Sequence, residues 1–435
     1  MSIAIIGAGV AGMSAAYDLA RAGQQVQVFE SASAAGGLAS GFRDEAWSWP
    51  LERFYHHIFT TDKAIIELAQ QIGFADRLFF RSQITAQWWR GRGYDLNGPM
   101  QVLRFPGLPF PDRVRFGAVA FYLKYLDADW RRLERTTAAA WTSRWAGKNV
   151  YRLLWRPLLE GKFGPYADEV NMAWLWARIR ARSFKLGYFV GGFQGFSDAL
   201  LAAARRAGAQ VQLDAPVAQV AQVQGGWEVT VRGAQPERFD QLLVTGAPGL
   251  LTKLVPQLPA GYLGQLSKLR SMGAVVLTLA LTQPLTGGLY WVNMPKDQFP
   301  YLALVEHTNF IAPEHYGGDH LIYLGDYLEP GHAYFSMSHE QLLAHFLPSL
   351  RVVNPAFRPD WVRKSWLHRE PYAQPIVPVG HSANIPPLGT PLPGLFWASM
   401  SQVYPWDRGT NFAVELGRKV AGEMLGRGLS ALHAV

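Results

Sequence analysis

The sequence contains no cysteine and few charged residues. Without a thiol among its 435 residues, it has no disulfide bond, thiolate nucleophile, iron–sulfur cluster or cysteine-linked cofactor. Asp, Glu, Lys and Arg make up 17% of the chain, whereas 49% of the residues are hydrophobic. This balance argues against intrinsic disorder and indicates a large buried core. At this length we expect two or three domains, or one large α/β body with an inserted lobe.

Long hydrophobic runs are also missing. Apolar stretches such as residues 273–281 are shorter than the roughly 20 residues that span a bilayer. The first residues contain neither a basic leader nor a cleavage site, so we expect a soluble cytoplasmic protein. The net charge is +8, but no dense block of Lys and Arg accompanies it, and no nucleic-acid partner is predicted.

Motifs of several enzyme classes are absent. The sequence has no H-E-x-x-H, G-x-S-x-G or G-K-[ST] pattern. Its 11 histidines lack the spacing of metal ligands, and no metal site is predicted. Arg178, Arg180 and Arg182 alternate within one segment, and we expect them on a solvated surface.

A glycine-rich turn joins the first strand to the first helix. Residues 3–6 form an apolar run typical of a buried parallel strand, and residues 11–22 have apolar residues at helical spacing. Between them, Gly7, Gly9 and Gly12 match G-x-G-x-x-G. These glycines allow a tight turn, close approach of a pyrophosphate and close helix–strand packing, while N–H groups at the helix start bind the phosphates.

The second strand ends in a carboxylate. Glu30 lies 18 residues after the third glycine, where it can accept hydrogen bonds from both ribose hydroxyls. This setting favours a dinucleotide site over a plain strand–turn–helix unit. A second glycine pair, Gly36-Gly37, would let more backbone close over an extended diphosphate, as a larger dinucleotide requires.

These motifs resemble those of the flavin amine oxidase and protoporphyrinogen oxidase superfamily. Its members share the glycine turn, the acidic strand end and a Gly-Gly pair usually followed by Arg, which Leu38 replaces here. Residues 394–398 are similar to the last strand of the family's nucleotide domain. In many members that strand ends in Ala-Gly-Asp, whereas this chain has Ser399 and Met400 after the Ala.

The following loop resembles that of a bacterial subgroup and, more loosely, of the UDP-galactopyranose mutases. The resemblance implies that Gly409 and the N–H groups of Thr410 and Asn411 face the pyrimidine edge of the flavin. Asp407 or Arg408 would replace the missing diphosphate contact. Capping of the final helix by Asn411 or Thr410 is the alternative.

Two central segments extend the resemblance. It implies that the backbone of Val217 holds the adenine and that the strand end at Ala247 closes over the dinucleotide. The predicted cofactor is therefore FAD. The predicted cofactor site consists of Gly7, Gly9, Val10, Ala11, Gly12, Glu30, Ser31, Gly36, Gly37, Leu38, Ala39, Phe54, Tyr55, Val217, Ala247, Met400, Arg408, Gly409, Thr410 and Asn411.

The predicted fold class is α/β, with a Rossmann-type FAD-binding domain of the glutathione-reductase-like kind. An inserted α+β substrate domain would contain a mixed sheet and a helical lobe. Residues 1–79, 186–254 and 376–435 are assigned to the FAD-binding domain. Residues 80–185 are assigned to the helical lobe and residues 255–375 to the sheet of the substrate domain.

Two adjacent histidines are candidates for proton transfer. His56 and His57 lie on a segment that, in the family, runs beside the isoalloxazine. Neighbouring residues of an extended segment point to opposite sides, so at most one of the two can face a ligand. We favour His56, which could exchange protons near neutral pH. The alternative is a pair of histidines hydrogen-bonded in a core or at the surface.

Aromatic and basic residues complete the candidate catalytic set. Tyr404 and Trp406 lie where amine oxidases place part of an aromatic cage, with core packing as the alternative. Arg369 and Tyr372 lie on a segment similar to the family's strand that enters the site from the substrate domain. Either could hold a substrate carboxylate or phosphate, and an ordinary surface ion pair is the alternative.

The resemblance implies an oxidoreductase in which the flavin accepts a hydride equivalent from a C–H or C–N centre of a small molecule. That substrate would be apolar or aromatic in part. No residue matches the lysine that many amine oxidases place near the flavin, which counts against simple amine oxidation. Alternatives are a redox-neutral mutase acting on a nucleotide sugar, a carotenoid or porphyrin desaturase, and a flavin-bound scaffold without turnover.

Residues 105–124 combine large apolar residues with basic ones. Such a segment could dock peripherally on a membrane, as in relatives with lipophilic substrates. Packing of the lobe helices against each other is the alternative.

Overall fold

The computed structural model of the protein describes residues 1–127 and 129–426. The strands are β1 Ser2–Ile6, β2 Gln25–Phe29, β3 Gly41–Phe42, β4 Leu51–Glu52, β5 Ile58–Phe59, β6 Leu78–Ser82, β7 Thr85–Trp89, β8 Arg92–Asp95, β9 Lys185–Phe189, β10 Gln210–Gln212, β11 Val217–Val223, β12 Gly226–Val231, β13 Glu237–Phe239, β14 Gln241–Thr245, β15 Ser271–Leu281, β16 Trp291–Asn293, β17 Ala303–Glu306, β18 His320–Leu328, β19 Val362–Pro375 and β20 Leu395–Ala398. The α-helices are α1 Val10–Arg21, α2 Lys63–Gln71, α3 Pro99–Arg104, α4 Phe110–Phe121, α5 Trp130–Leu133, α6 Ala138–Trp145, α7 Lys148–Val150, α8 Arg156–Phe163, α9 Met172–Ala181, α10 Gly192–Arg206, α11 Pro248–Leu254, α12 Ala260–Leu266, α13 His339–Val353 and α14 Thr410–Met424.

Five parallel strands form the first sheet, in the order β10-β2-β1-β14-β20. The apolar run of β1 is buried on both faces, since Ile3 and Ile5 pack into one core and Ala4 and Ile6 into another. The chain leaves β1 through α1 toward β2 on one side, while β14 pairs with β1 on the other. The topological switch point, where such sheets bind ligands, therefore lies at the carboxyl end of β1.

A second, seven-stranded sheet has the order β19-β15-β18-β17-β16-β7-β8. Its neighbours are antiparallel except β16 and β7, so the sheet is mixed. The long strand β15 is buried along nearly its whole length because α13 covers one of its faces and the core shared with β1 and α1 covers the other.

The helices α3–α9 form the lobe. Its core is rich in aromatic residues, including Phe163, Trp174 and Trp176, and α8 packs on β18 of the mixed sheet. The described part of the chain contains no helix with both the length and the apolar character needed to cross a membrane.

The predicted fold class is confirmed, since the parallel sheet, the mixed sheet and the helical lobe are all present. Strands from the N-terminal, central and C-terminal segments share the parallel sheet. Helices of the segment 80–185 begin only at α3, because β7 and β8 before it complete the mixed sheet. The segment boundaries stay a prediction.

Candidate functional site

The turn between β1 and α1 leaves no room for side chains. Gly7 has a φ of +106°, and a Cβ atom on it would lie 2.4 Å from Oγ1 of Thr245. A Cβ atom on Gly12 would lie 2.1 Å from the carbonyl oxygen of Gly7. α1 has Gly9 as its N-cap and no side-chain cap, so the N–H groups of its first turn are available to an anion. A diphosphate fits this cradle, which holds the predicted residues Gly7, Gly9, Val10, Ala11 and Gly12.

The second glycine pair packs directly against this turn. The N–H group of Gly36 donates to the carbonyl oxygen of Ala8 over 2.9 Å. Gly37 has a φ of +57°, and a Cβ atom on it would lie 3.1 Å from the Cα atom of Gly9. Because both contacts need bare backbone, the two motifs form one continuous surface at the carboxyl end of β1.

Glu30 lies beside the same surface at the end of β2. Its carboxylate accepts hydrogen bonds from the N–H groups of Ala8 (2.7 Å) and Ala32 (2.9 Å). The N–H group of Ala215 donates to the carbonyl oxygen of Glu30 over 2.8 Å, which brings the segment leading to Val217 alongside. This arrangement fits contacts of Glu30 with a ribose and of Val217 with an adenine, and both contacts stay predictions.

Strands β14 and β20 end at the same edge of the parallel sheet. The N–H group of Gly246, just after β14, donates to the carbonyl oxygen of Ala398, the last residue of β20, over 3.2 Å. We call this edge, with the two glycine turns, the dinucleotide edge. The remaining predicted residues that follow its strand ends or its second glycine pair are Ser31, Leu38, Ala39, Ala247 and Met400.

The final helix also begins without a side-chain cap. Its N-cap is Gly409, so the predicted alternative of capping by Thr410 or Asn411 is wrong. The side chain of Asn411 instead accepts from the N–H group of Ile65 (3.1 Å) and donates to Glu415 (3.0 Å), tying α14 to α2. The N–H groups at the start of α14 are therefore available to a polar ligand edge.

The predicted cage residues pack among aromatic rings of the lobe. The ring of Tyr404 meets Trp130 edge to face at 5.3 Å between centroids. Trp406 stacks on Trp176 and on Phe412, with centroid distances of 5.6 Å and 5.8 Å. These contacts agree with the packing alternative, and the cage role of both residues stays a prediction.

The histidine segment contacts α10 through His56 and the mixed sheet through His57. Nδ1 of His56 donates to the carbonyl oxygen of Phe54 over 2.5 Å, which leaves Nε2 as the acceptor of a neutral ring. Burial and the nearby Arg408 charge lower the pKa of His56 to about 4, and its role in proton exchange stays a prediction. His57 packs edge to face with Phe59.

The predicted aromatic cofactor residues of this segment turn toward the mixed sheet. Tyr55 packs edge to face on Tyr323 of β18, and its hydroxyl oxygen would lie 2.8 Å from a Cβ atom on Gly325. Phe54 meets His368 of β19 at 6.4 Å between centroids.

Arg369 and Tyr372 do not come together. The guanidinium of Arg369 donates to two backbone carbonyl groups in the segment before α13, so protein atoms already occupy it. The hydroxyl of Tyr372 bonds with Ser399 (3.0 Å) and with Ser401, which ties β19 to the loop after β20. Their roles toward a substrate stay predictions.

A buried charged cluster lies where the loop before α14 meets the lobe. Oδ1 of Asp407 accepts hydrogen bonds from Nε1 of Trp174 (3.1 Å) and Nε2 of Gln374 (3.1 Å), and Oδ2 pairs with Arg178. Burial alone would raise the pKa of Asp407, but the charges of three neighbouring cations hold it well below its usual range. We call this group the Asp407 cluster; its members are Lys162, Trp174, Arg178, Tyr327, Gln374, Asp407 and Arg408.

Sequence reasoning missed most of this cluster. Arg178 was expected on a solvated surface, but it pairs with Asp407 because Trp174 and Arg178 lie one turn apart on α9 and both reach that carboxylate. That helical spacing was the available signal. Lys162 lies on α8, and no motif around it indicates a contact with a loop more than 200 residues later.

The sequence pattern of one protein family, described as flavin containing amine oxidoreductase, matches residues 10–425. A provisionally named flavin-containing monoamine oxidase of Mycobacterium tuberculosis is 26% identical over 278 residues, which are 60% of this chain and 61% of that protein. The chain thus spans about three fifths of the length of this curated relative.

Solved structures share the fold over almost the whole chain. A provisionally assigned protoporphyrinogen oxidase from Exiguobacterium sp. 255-15 has a TM-score of 0.76 at 17% identity, covering 98% of this chain and 99% of that one. A cyclohexylamine oxidase from Brevibacterium oxydans has a TM-score of 0.70 at 18% identity, covering 98% of each. A reduced UDP-galactopyranose mutase has a TM-score of 0.71 at 16% identity, covering 98% of this chain and 95% of that one. The chain therefore belongs to the family of flavin containing amine oxidoreductases, which confirms the predicted family and the predicted flavin cofactor.

Proposed function

We propose that this chain is an FAD-dependent oxidoreductase that oxidises a C–H or C–N centre of a small organic molecule. When bound, the flavin supplies the hydride acceptor. The proposed activity and substrate are argued from this chain's own residues and are not taken over from its relatives.

The observation that carries the proposal is the contact between the two glycine turns. Gly37 approaches Gly9 so closely that backbone alone forms the surface under the start of α1. Such a surface suits the diphosphate of a dinucleotide, which is a longer ligand than a mononucleotide. Glu30 lies beside this surface, where it could accept hydrogen bonds from a ribose. The uncapped start of α14 supports the placement of a flavin ring edge there.

The residues around the ring would orient the substrate and exclude water. Tyr55, which packs on Trp291 of the mixed sheet, and Trp406, which packs on Trp176 of the lobe, are aromatic side chains that suit a partly aromatic substrate. His56 is a neutral acceptor at Nε2, so it can receive a hydrogen bond but is a weak base.

Anaerobic reduction tests this proposal. The purified chain is expected to contain FAD and to lose its visible absorption when mixed with a suitable amine, reduced porphyrin or carotenoid. Conversion of UDP-galactopyranose only after dithionite reduction, without bleaching by any donor, would instead favour a redox-neutral mutase. If the bound FAD stays oxidised with every compound and the protein converts none of them, the result would favour a flavin-bound scaffold without turnover.

We also propose that the lobe touches a membrane surface at α4. Phe110, Val114, Phe121 and Tyr125 recur at helical spacing, and their exposed fractions are 64%, 49%, 57% and 58%. An exposed apolar stripe of this size is unusual on a surface that contacts only water. Arg104 is exposed on the neighbouring helix, which favours anionic headgroups.

Sedimentation with lipid vesicles tests the membrane proposal. The chain should pellet with vesicles that contain phosphatidylserine, and Phe110→Asp combined with Phe121→Asp should release it. Phe184→Asp changes an equally exposed aromatic residue outside α4 and should have no effect. Equal sedimentation of all three proteins would contradict a role for α4.

A further inference from the structure

The Asp407 cluster contains more positive than negative charge. Lys162, Arg178 and Arg408 all act on the single carboxylate of Asp407. That carboxylate is already surrounded, since Trp174, Gln374 and Arg178 donate to it. Buried charges are stable only when they are compensated, so the cluster has capacity for a further anion.

Two of the cations have unused donors. Lys162 is 8% exposed, and within the described residues its ammonium makes one hydrogen bond, to Oε1 of Gln374 at 3.1 Å. An ammonium has three N–H donors, so two remain. Arg408 donates to the hydroxyl of Tyr327, but its buried Nε has no partner among residues 1–127 and 129–426.

Both cations lie over one aromatic ring. The Nζ atom of Lys162 is 4.6 Å from the ring centroid of Tyr327, and the guanidinium carbon of Arg408 is 5.1 Å from it. The charge of Arg408 lowers the pKa of Lys162, and an anion bound by both cations would offset this repulsion. Burial and the charge of Arg178 lower the pKa of Lys162 well below its ordinary value, which agrees with a missing counter-charge.

The cluster is not sealed inside the protein. The side chains of Arg178 and Asp407 keep 28% and 18% of their surface exposed. The charge of Arg408 also acts on Tyr55 and His56, the residues expected beside the flavin ring. A small molecule bound beside these two residues would therefore also experience the charge of Arg408.

We propose that Lys162 and Arg408 bind an acidic group of the substrate, a carboxylate or a phosphate ester, and so select organic anions. This inference rests on the proposed function, because it places the anion in the same site as the flavin. It assigns a specificity role to Lys162, a lobe residue outside every motif of the sequence. Arg369, one of the two residues predicted for this task, donates to backbone carbonyl groups instead.

Binding of matched ligands to the FAD-loaded protein tests the inference. Phenylacetate, phenyl phosphate, phenylacetamide and phenethylamine carry negative, neutral or positive groups on similar rings, and changes in the visible flavin spectrum report their binding. We expect at least one anion to bind tenfold or more tightly than the amide and the amine. The anion that binds more tightly, phenylacetate or phenyl phosphate, identifies the acidic group as a carboxylate or a phosphate ester. Equal affinities for all four ligands, or no binding of either anion, would overturn the inference.

Variants of Lys162 locate the effect. Lys162→Met should weaken anion binding at least tenfold and change amide binding less than twofold, whereas Lys162→Arg should retain the preference. Lys148→Met makes the same change at an exposed position of the lobe and should bind like the wild type. The preference of the wild type is measurable even if Lys162→Met does not fold.

Two further measurements distinguish a contact of Lys162 with the substrate from a contact with the flavin. FAD content is measured first, because a chain without FAD would contradict the proposed function itself. The flavin reduction potential is measured for Lys162→Met and the wild type. A lower potential with unchanged anion affinity would assign Lys162 to the reduced flavin instead of the substrate, and would overturn the inference.

Discussion

The dinucleotide edge and the Asp407 cluster are proposed to bind different ligands, FAD and the substrate, and they are built differently. At the dinucleotide edge, contacts are made by backbone atoms of glycine residues, and a single added carbon meets other atoms within 2.1–3.1 Å at Gly7, Gly12 and Gly37. In the Asp407 cluster, contacts are made by the ends of long side chains. Mutations in the first region should therefore act through steric clashes, and mutations in the second region through the loss of charge compensation.

Adding one methyl group to the glycine turn should have the largest effect. In Gly12→Ala the new Cβ would meet a backbone oxygen at 2.1 Å, which side-chain movement cannot relieve. We expect loss of bound FAD and a fall in the free energy of unfolding of more than about 3 kcal/mol. Denaturant unfolding and FAD content measure both.

Gly264→Ala is the matched control. Gly264 lies in α12 with no atom within 4 Å of its added Cβ, so this change should raise stability by about 0.5–1 kcal/mol. If Gly12→Ala behaved like Gly264→Ala, the steric account of the dinucleotide edge would be wrong.

Removing the charge of Asp407 should have the next largest effect. Asp407→Asn keeps the shape but leaves three cations without their carboxylate, and we expect a loss of about 3 kcal/mol in the free energy of unfolding. Asp360→Asn removes a carboxylate from a pair with Arg358 in which both side chains are 68% exposed, and should cost less than about 1 kcal/mol. Similar losses in the two variants would contradict an electrostatic role for the cluster.

Glu52 is a second buried carboxyl group, and no cation among the described residues contributes to its pKa shift, unlike that of Asp407. It accepts hydrogen bonds from the Tyr188 hydroxyl (2.6 Å) and the Phe193 N–H group (2.7 Å). Burial nevertheless raises its pKa to about 7, opposite in direction to Asp407. The folded state thus holds a proton that the unfolded state has lost, so stability falls as pH rises from about 4.5 to 7.

Glu52→Gln removes this pH-dependent loss. Relative to Glu67→Gln, the same change at an exposed position, its free energy of unfolding should gain up to about 3 kcal/mol between pH 4.5 and 7 and then level off. Denaturant unfolding at several pH values measures the difference. A pH-independent difference would show that Glu52 is already ionised at the low end of this range.

The smallest effect is expected at the link between the two regions. Tyr372→Phe removes the hydroxyl that joins β19 to Ser399 and Ser401, and should lower the free energy of unfolding by about 1 kcal/mol. Tyr125→Phe, at a residue 58% exposed, should leave stability unchanged. No loss in Tyr372→Phe would show that this hydroxyl does not couple the strand to the loop.

The contrast between the regions also explains what the sequence could predict. The residues of the dinucleotide edge are contiguous in short motifs, because a tight turn needs glycine at fixed positions. The strand–turn–helix from β1 to α1 and the parallel sheet were therefore predictable. Gly409 was also predicted to contribute backbone to the site. In the structure it is the N-cap of α14, and no side chain caps that helix.

The Asp407 cluster could not be predicted in this way. Lys162, Arg178 and Asp407 come from separate segments, and their meeting depends on how α8 and α9 of the lobe pack against the loop before α14. No spacing rule connects such residues. Arg369 is a second example. The sequence predicted that it lies on a strand, now β19, but it did not predict that its guanidinium donates to backbone carbonyl groups.

The FAD content of the purified, reconstituted chain tests the central claim most directly. We expect one FAD per chain, released only on unfolding, because strands from three segments of the chain meet in the parallel sheet at whose edge a single dinucleotide would bind. Glu30→Ala should lose most of it, since the carboxylate beside the glycine turn is removed. A colourless protein that takes up no FAD after reconstitution would contradict the account.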